Sequence, residues 1–101
     1  MTRHPLSEAF HQELALLGKL HDQKQADYGL AGDPFYNVRG SEEWGIPAWQ
    51  GAMMRAQDKV RRLQKEARHP GTLQNESAMD IFRDLAVYAL TAAVLYQEQQ
   101  K

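Results

Sequence analysis

The chain has 101 residues and a formal net charge of −1, from twelve lysines and arginines against thirteen aspartates and glutamates. Its 43% hydrophobic and 25% charged residues are typical of a folded domain, and its length suits a single domain. The near-neutral charge argues against sequence-independent binding to nucleic acid, and the absence of cysteine excludes disulfides and thiolate metal ligands.

Two segments decide the expected cellular location. The first seven residues lack the apolar stretch of a signal peptide. The charge-free run Leu85–Tyr96 has twelve residues, fewer than the roughly 17–25 that cross a bilayer. Together with the lack of cysteine, these features predict a soluble protein of the reducing cytoplasm with no membrane partner.

A first helix is predicted from the start of the chain to about Tyr28, where Gly29 and Gly32 provide a stop. Ser7 is the candidate cap of this helix. Its apolar residues recur at steps of three and four: Leu6, Phe10, Leu14, Leu17 and Leu20.

A long loop is predicted from Gly29 to Pro47, because the periodicity is lost there. Six of the eleven glycines and prolines of the chain fall in this range. Residues 41–44 could add one helical turn. A loop of this length in a small domain is more often functional or mobile than idle.

Two further helices are predicted after the loop. The first starts near Pro47 and ends near His69-Pro70-Gly71, and its apolar stripe is Trp49, Met53, Ala56, Val60, Leu63 and Ala67. The second is capped by Asn75, with an inner face formed by Ala78, Ile81, Phe82, Leu85, Ala89, Ala92 and Tyr96.

The last helix also carries a second apolar line, formed by Met79, Val87, Leu90 and Val94 on the opposite side. A helix that is apolar on two sides is expected to be buried on both, which three helices of one chain cannot achieve. The sequence therefore predicts a single all-α domain over residues 1–101. It is a bundle of three long helices and a possible short one, completed by homo-oligomerisation.

An acidic row is the sharpest chemical feature, with Glu76, Asp80 and Asp84 at i, i+4 and i+8. Like charges at this spacing destabilise a helix, so a compensating cation is expected. Mg²⁺ or Mn²⁺ would suit carboxylate ligands together with phosphate oxygens. The alternative is an ordinary row of helix-dipole and ion-pair partners on a solvated face, and spacing alone favours it.

A basic line on the middle helix comprises Arg55, Lys59 and Arg62, with Asp58 among them. These residues flank the apolar stripe, so they could reach into a cleft between helices and bind phosphate. The alternative is that Arg55 pairs with Asp58 and Arg62 with Glu66 within the helix, or that these side chains extend along the edge of the core.

Polar and aromatic residues cluster around the loop, namely Lys24, Asp27, Tyr28, Asp33, Phe35, Tyr36 and Asn37. The aromatic residues could stack on a base, whereas Trp44 and Trp49 could simply close the core. The four histidines show no spacing typical of a zinc site.

Four groups of residues, in chain order, resemble a known family. They are Lys24-x-x-Asp27-Tyr28-Gly29, Phe35-x-Asn37, Arg55-x-x-Asp58-Lys59-x-x-Arg62-Leu63 and Glu76-Ser77-x-x-Asp80-x-x-x-Asp84-Leu85-Ala86-x-Tyr88-Ala89. This arrangement resembles the phage and bacterial nucleotide modification associated domain, which is itself similar to the all-α NTP pyrophosphatases of the MazG type. The resemblance covers roughly residues 20–96.

The resemblance implies an oligomeric nucleotide-binding domain that uses Mg²⁺ or Mn²⁺ to hydrolyse a nucleoside triphosphate to the monophosphate and pyrophosphate. It implies a setting in phage nucleotide metabolism or DNA base modification. Glu76, Asp80 and Asp84 would be metal ligands and catalytic acids; Lys24, Arg55, Lys59 and Arg62 would bind phosphate beside Asp58; Asp27, Tyr28 and Asn37 would shape the nucleoside pocket. The E-x-x-E pair that MazG-type enzymes carry on the preceding helix is missing, so a catalytically silent nucleotide sensor or protein-interaction module is the alternative.

Overall fold

Three α-helices and one 3₁₀ helix make up the described part of the fold. A computed structural model describes residues 2–28 and 32–101, with side chains given outside 25–28. The α-helices are α1 (Pro5–Tyr28), α2 (Ala48–Arg68) and α3 (Ala78–Gln99), and the 3₁₀ helix spans Val38–Trp44. No β-strand occurs in the described ranges, so the predicted all-α class with three long helices is confirmed.

The 3₁₀ helix is longer than the single turn predicted for residues 41–44. It occupies seven residues of the predicted loop and ends where Gly45 adopts a left-handed φ of 75°. Its approach to α2 depends on Gly51, since a Cβ there would lie 2.7 Å from the Cβ of Ser41. The close contact fixes this short helix against the first turns of α2.

The predicted caps of α1 and α3 are both wrong. His4 precedes α1 and its Nδ1 accepts the N–H of Leu6 at 3.1 Å, while Ser7 lies inside the helix. Pro5 favours this start because its fixed φ suits the first helical position.

Ser77, not Asn75, caps α3. Its hydroxyl accepts the N–H of Asp80, and the carboxylate of Asp80 accepts the N–H of Ser77, which together form a capping box. Asn75 has a positive φ of 67° and lies in the preceding turn, so Glu76 stands before α3 and not within it.

The core is small and lies mainly between α2 and α3. Its buried apolar side chains are Leu17, Ala48, Ala52, Ala56, Ile81, Ala92 and Leu95. In the predicted inner face of α3, Ile81 and Ala92 are buried, but Phe82 and Tyr96 are about half exposed. The difference arises because α3 packs chiefly against small residues of α2, which cover a narrower face than the predicted stripe.

An apolar groove remains open between α1 and α3, and we call it the α1–α3 groove. It is lined by Phe10, Glu13, Leu14, Leu17, Met79, Phe82, Arg83, Ala86 and Leu90. Leu6 and Phe10 on α1 and Met79, Leu90 and Val94 of the predicted second line on α3 are exposed. None of the described helices has the length and hydropathy needed to span a membrane.

Candidate functional site

An ion-pair network formed by residues of the predicted site joins all three long helices. Lys59 Nζ lies 3.0 Å from both Glu76 Oε2 and Asp84 Oδ2. Arg62 pairs with Glu76, and Lys24 Nζ lies 3.5 Å from Asp84 Oδ1. We call these five residues the ion-pair network. Three cationic side chains therefore face two carboxylates, and the network keeps one positive charge.

Lys59 is the centre of this network. Its side chain is only 16% exposed. Burial lowers the pKa of Lys59, but hydrogen bonds to Asp84 and Glu76 outweigh this effect and raise the pKa above its ordinary value. Hydrogen bonds from Lys59 and Arg62 hold the pKa of Glu76 below its ordinary value. Lys59 and Glu76 are consequently both charged at neutral pH.

The predicted acidic row is divided in the structure. Glu76 and Asp84 converge on one cation, whereas Asp80 is engaged in the capping box, where the Ser77 N–H helps to lower its pKa. Among the described side chains, those of residues 2–24 and 32–101, no group of three or more His, Asp or Glu is placed to hold a metal ion. The cation that Glu76 and Asp84 share in the structure is the Lys59 ammonium.

A cavity of about 270 Å³ adjoins the network, and we call it the inner cavity. It brings together three predicted binding residues, Lys24 from α1, Asn37 from the loop and Arg55 from α2. The remaining lining residues are His21, Pro34, Phe35, Val38, Val87, Tyr88 and Thr91. Because Lys24 lines the inner cavity and also reaches Asp84, the inner cavity borders the ion-pair network.

Two aromatic residues of the inner cavity, His21 and Tyr88, were given no binding role from the sequence. The ring of His21 lies 5.4 Å from that of Phe35, at an interplanar angle of 37°. Tyr88 lies one helical turn after Asp84, and this i+4 spacing was the signal that could have placed it beside the acids. Aromatic surface next to cationic groups is suited to a base attached to phosphate.

Other predicted residues lie elsewhere or outside the description. Asp58 approaches Arg61 at 3.9 Å and lines a separate groove. The side chains of Asp27 and Tyr28 lie outside those described, so their predicted roles stay predictions.

Glu66 is not paired with Arg62, contrary to the alternative of pairing within α2. Its carboxylate accepts the N–H groups of Gly71, Thr72 and Leu73 at 2.9–3.0 Å. These bonds lower the pKa of Glu66 and close the turn after α2. Arg62 is thereby directed to Glu76, across the gap between α2 and α3.

Arg39 ties the loop that walls the inner cavity to the end of α3. Its guanidinium binds both carboxylate oxygens of Glu98, at 2.8 and 3.0 Å, and Asp33 at 2.7 Å. Asp33 also accepts the N–H of Phe35 at 3.0 Å. The bidentate geometry fixes Phe35 and Asn37 relative to the helices.

No known protein family, characterised protein or solved structure matches the chain at a significant level.

Proposed function

We propose that this protein binds a nucleotide in the inner cavity and, with Mg²⁺ or Mn²⁺, hydrolyses a nucleoside triphosphate to the monophosphate and pyrophosphate. The observation that carries the proposal is the meeting of Lys24, Asn37 and Arg55 in one cavity, beside the carboxylates of Glu76 and Asp84. A cytoplasmic setting is part of this proposal, and it is supported by a sequence without cysteine, which suits a reducing compartment.

The inner cavity offers complementary groups to the two ends of a nucleotide. Phe35 and His21 supply aromatic surface, and Asn37 supplies an amide that can hydrogen-bond a base or sugar. Lys24 and Arg55 supply positive charge for phosphate, and the ion-pair network extends it through Lys59 and Arg62. A bound nucleotide would therefore place its nucleoside in the inner cavity and its phosphates at the ion-pair network.

The metal would be held by Glu76 and Asp84. Mg²⁺ commonly takes one or two carboxylates and completes its shell with water and substrate phosphate. The two carboxylates already share a cation, because each lies 3.0 Å from the Lys59 ammonium. A bound divalent ion would neutralise phosphate charge and make a ligated water more acidic. Lys59 would then be released to bind phosphate.

In the proposed reaction a water oxygen attacks the α-phosphorus, and the bond between this phosphorus and the oxygen leading to the β-phosphate breaks. Pyrophosphate leaves, and the water's proton passes to one of the site carboxylates. Glu76 and Asp84 are the candidates for this carboxylate, because both contact the Lys59 ammonium of the ion-pair network. Asp80 positions the start of α3, and through it Asp84, by capping the helix.

The test is a screen of nucleoside triphosphates with Mg²⁺ or Mn²⁺ that follows the release of pyrophosphate. We expect release only with metal, and a loss of at least tenfold in Glu76→Gln, because the neutral amide is a poorer metal ligand. Glu42→Gln, an exposed carboxylate on the 3₁₀ helix, is the matched control and should keep full activity. Metal-independent release, or equal rates in both variants, would contradict the proposed chemistry.

A catalytically silent nucleotide sensor is the second candidate, and one observation favours it. Lys59 occupies the position between the two carboxylates, which stabilises the network without metal. A sensor would bind nucleotide, raising the melting temperature by linkage, without releasing pyrophosphate. Measuring both melting temperature and pyrophosphate release in the same screen separates the two functions. A sensor raises only the melting temperature, whereas an enzyme also releases pyrophosphate.

We also propose that a second copy of the chain covers the α1–α3 groove. Its apolar residues lie on both walls, and the Glu13–Arg83 ion pair at 2.9 Å brings both signs of charge to it. Such a surface is complementary to itself about a two-fold axis, apolar against apolar and acid against base. We expect sedimentation to show a dimer or larger, and Leu90→Glu to weaken it by burying an unpaired charge. Met53→Glu on α2 is the exposed control, and a monomeric parent at 100 µM would remove the proposal.

A further inference from the structure

Trp44 is more exposed than any other large hydrophobic side chain in the described part of the chain, at 84%. The second tryptophan, Trp49, packs edge-on against Tyr96 with ring centroids 5.5 Å apart. The expectation that both tryptophans could close the core is thus not met by Trp44. Tryptophan is usually well covered because of its large apolar surface, so an exposed one invites a binding partner.

The backbone that carries Trp44 is held in place. The N–H of Gly45 donates to the Glu42 carbonyl and that of Ile46 to the Ser41 carbonyl, both at 3.1 Å. Ser41 in turn lies against Gly51 of α2. Trp44 therefore stands on an anchored turn, so stacking on its ring would not require this segment of backbone to be ordered first.

Trp44 forms one wall of a groove of about 760 Å³ between the 3₁₀ helix and α2, which we call the outer groove. Ile46 and Met54 add apolar surface to it. Val38 and Arg55 line both the outer groove and the inner cavity, so the two spaces meet at these residues. The inner cavity alone falls below the usual volume of ligand sites, about 300–1,000 Å³, whereas the outer groove lies within it.

The charges of the outer groove decide what it can accept. Asp58 faces Arg61 at 3.9 Å, and Glu43 adds a further acid, so the groove is balanced and disfavours a chain of phosphates. Arg55 differs, because no described carboxylate forms an ion pair with it. Arg55 is therefore a cation that borders both spaces, with Trp44 in the outer groove on one side and Phe35 in the inner cavity on the other.

We infer that the outer groove binds a second base, stacked on Trp44, so that the ligand is two nucleosides joined through phosphate at Arg55. The inference rests on the proposed function, because the first nucleoside occupies the inner cavity. Two classes of ligand have two bases joined through phosphate: a 3′–5′-linked dinucleotide and a 5′–5′-linked dinucleoside polyphosphate. The bases supply planar apolar faces to the neutral groove, and the linking phosphate supplies the anion for Arg55.

The experiment compares dAMP, the dinucleotide pdApdA and diadenosine tetraphosphate in calorimetric titrations of the full chain. We expect at least one two-base probe to bind tenfold or more tightly than dAMP, and the better one identifies the linkage. Trp44→Ala should weaken that probe by about 5- to 150-fold, the range for loss of one stacked base, without changing dAMP binding. Trp44→Phe should retain most of the affinity, since it keeps an aromatic face.

A second readout is the fluorescence of Trp44 in a Trp49→Phe background, which should be quenched by the two-base probe and not by dAMP. A two-base probe no tighter than dAMP, or equally tight in Trp44→Ala, overturns the inference and leaves the proposed function standing. Failure of dAMP and of dATP with Mg²⁺ to bind the parent protein overturns both. Melting curves of each variant show whether a change in affinity reflects unfolding.

Discussion

Replacing Arg55 with alanine is expected to weaken nucleotide binding by about 10- to 150-fold, equivalent to about 1.5–3 kcal/mol for a hydrogen bond to a charged group. Arg55 lies where the inner cavity and the outer groove meet, so a phosphate bound in either would contact it. The fold should be unaffected, because Arg55 is exposed and forms no ion pair with any described carboxylate. Calorimetric titration with dATP and Mg²⁺, paired with a melting curve, measures both effects.

Arg68 provides the matched control for this variant. It is an exposed arginine in the last turn of α2, and none of the described cavities includes it. Arg68→Ala should bind dATP as the parent does. Equal affinities in both variants would remove phosphate binding from Arg55, whereas equal losses in both would indicate a diffuse charge effect that salt would screen.

Lys59→Ala does not test phosphate binding alone, although the position of Lys59 on α2 suggests that it would. The sequence places Lys59 at the core edge with few acids on its own helix, which suggests a freely removable phosphate ligand. In the structure it separates the carboxylates of Glu76 and Asp84, which come from other elements. Its removal would leave these like charges facing each other, so a loss of binding could follow from local rearrangement.

The helices were predictable because each depends on local signals. The apolar stripes, the stop at His69-Pro70-Gly71 and the charge-free run Leu85–Tyr96 within α3 are all properties of neighbouring residues. The caps were misassigned because several candidates lie within a few residues, and the choice among them depends on backbone conformation. Asn75 is excluded from capping α3 by its positive φ, which no spacing rule reveals.

The candidate site was predictable only in part, because its pairings cross between elements. The spacing of Glu76, Asp80 and Asp84 suggests one acidic row, but Ser77 begins α3 and diverts Asp80 to the helix start. Pairing rules within a helix likewise assign Arg62 to Glu66. Tertiary contacts instead direct Arg62 to Glu76 and leave Glu66 to the backbone of the following turn.

The extent of the buried core is the feature that the sequence overestimated. Phe82 and Tyr96 belong to the same predicted inner face as Ile81, yet of the three only Ile81 is fully buried. Periodicity shows which residues share a face of α3, but not how wide a strip its neighbours cover. In this chain α2 presents small side chains, Ala52 and Ala56, so its contact with α3 is close and narrow.

Ile81→Ala is therefore expected to be the most damaging single truncation in the described core. The side chain of Ile81 is 0% exposed and is the largest that is fully buried. Truncation of such a residue to alanine typically costs about 2–5 kcal/mol, from lost transfer free energy and the cavity left behind. This would be a large share of the roughly 5–15 kcal/mol that stabilises a domain of this size. Urea denaturation gives the change in free energy of unfolding directly.

A graded series at the same position separates a packing effect from a general disturbance of α3. Ile81→Val removes one methylene and should cost only about 0.5–1.5 kcal/mol. Val60→Ala, on an α2 side chain that is 40% exposed, should cost less than Ile81→Ala because water already covers part of it. Because α3 carries Asp84 and Tyr88, Ile81→Ala should also lower nucleotide affinity near its melting temperature and not well below it. If Ile81→Ala unfolds no more easily than Val60→Ala, the α2–α3 contact is not the core of this protein.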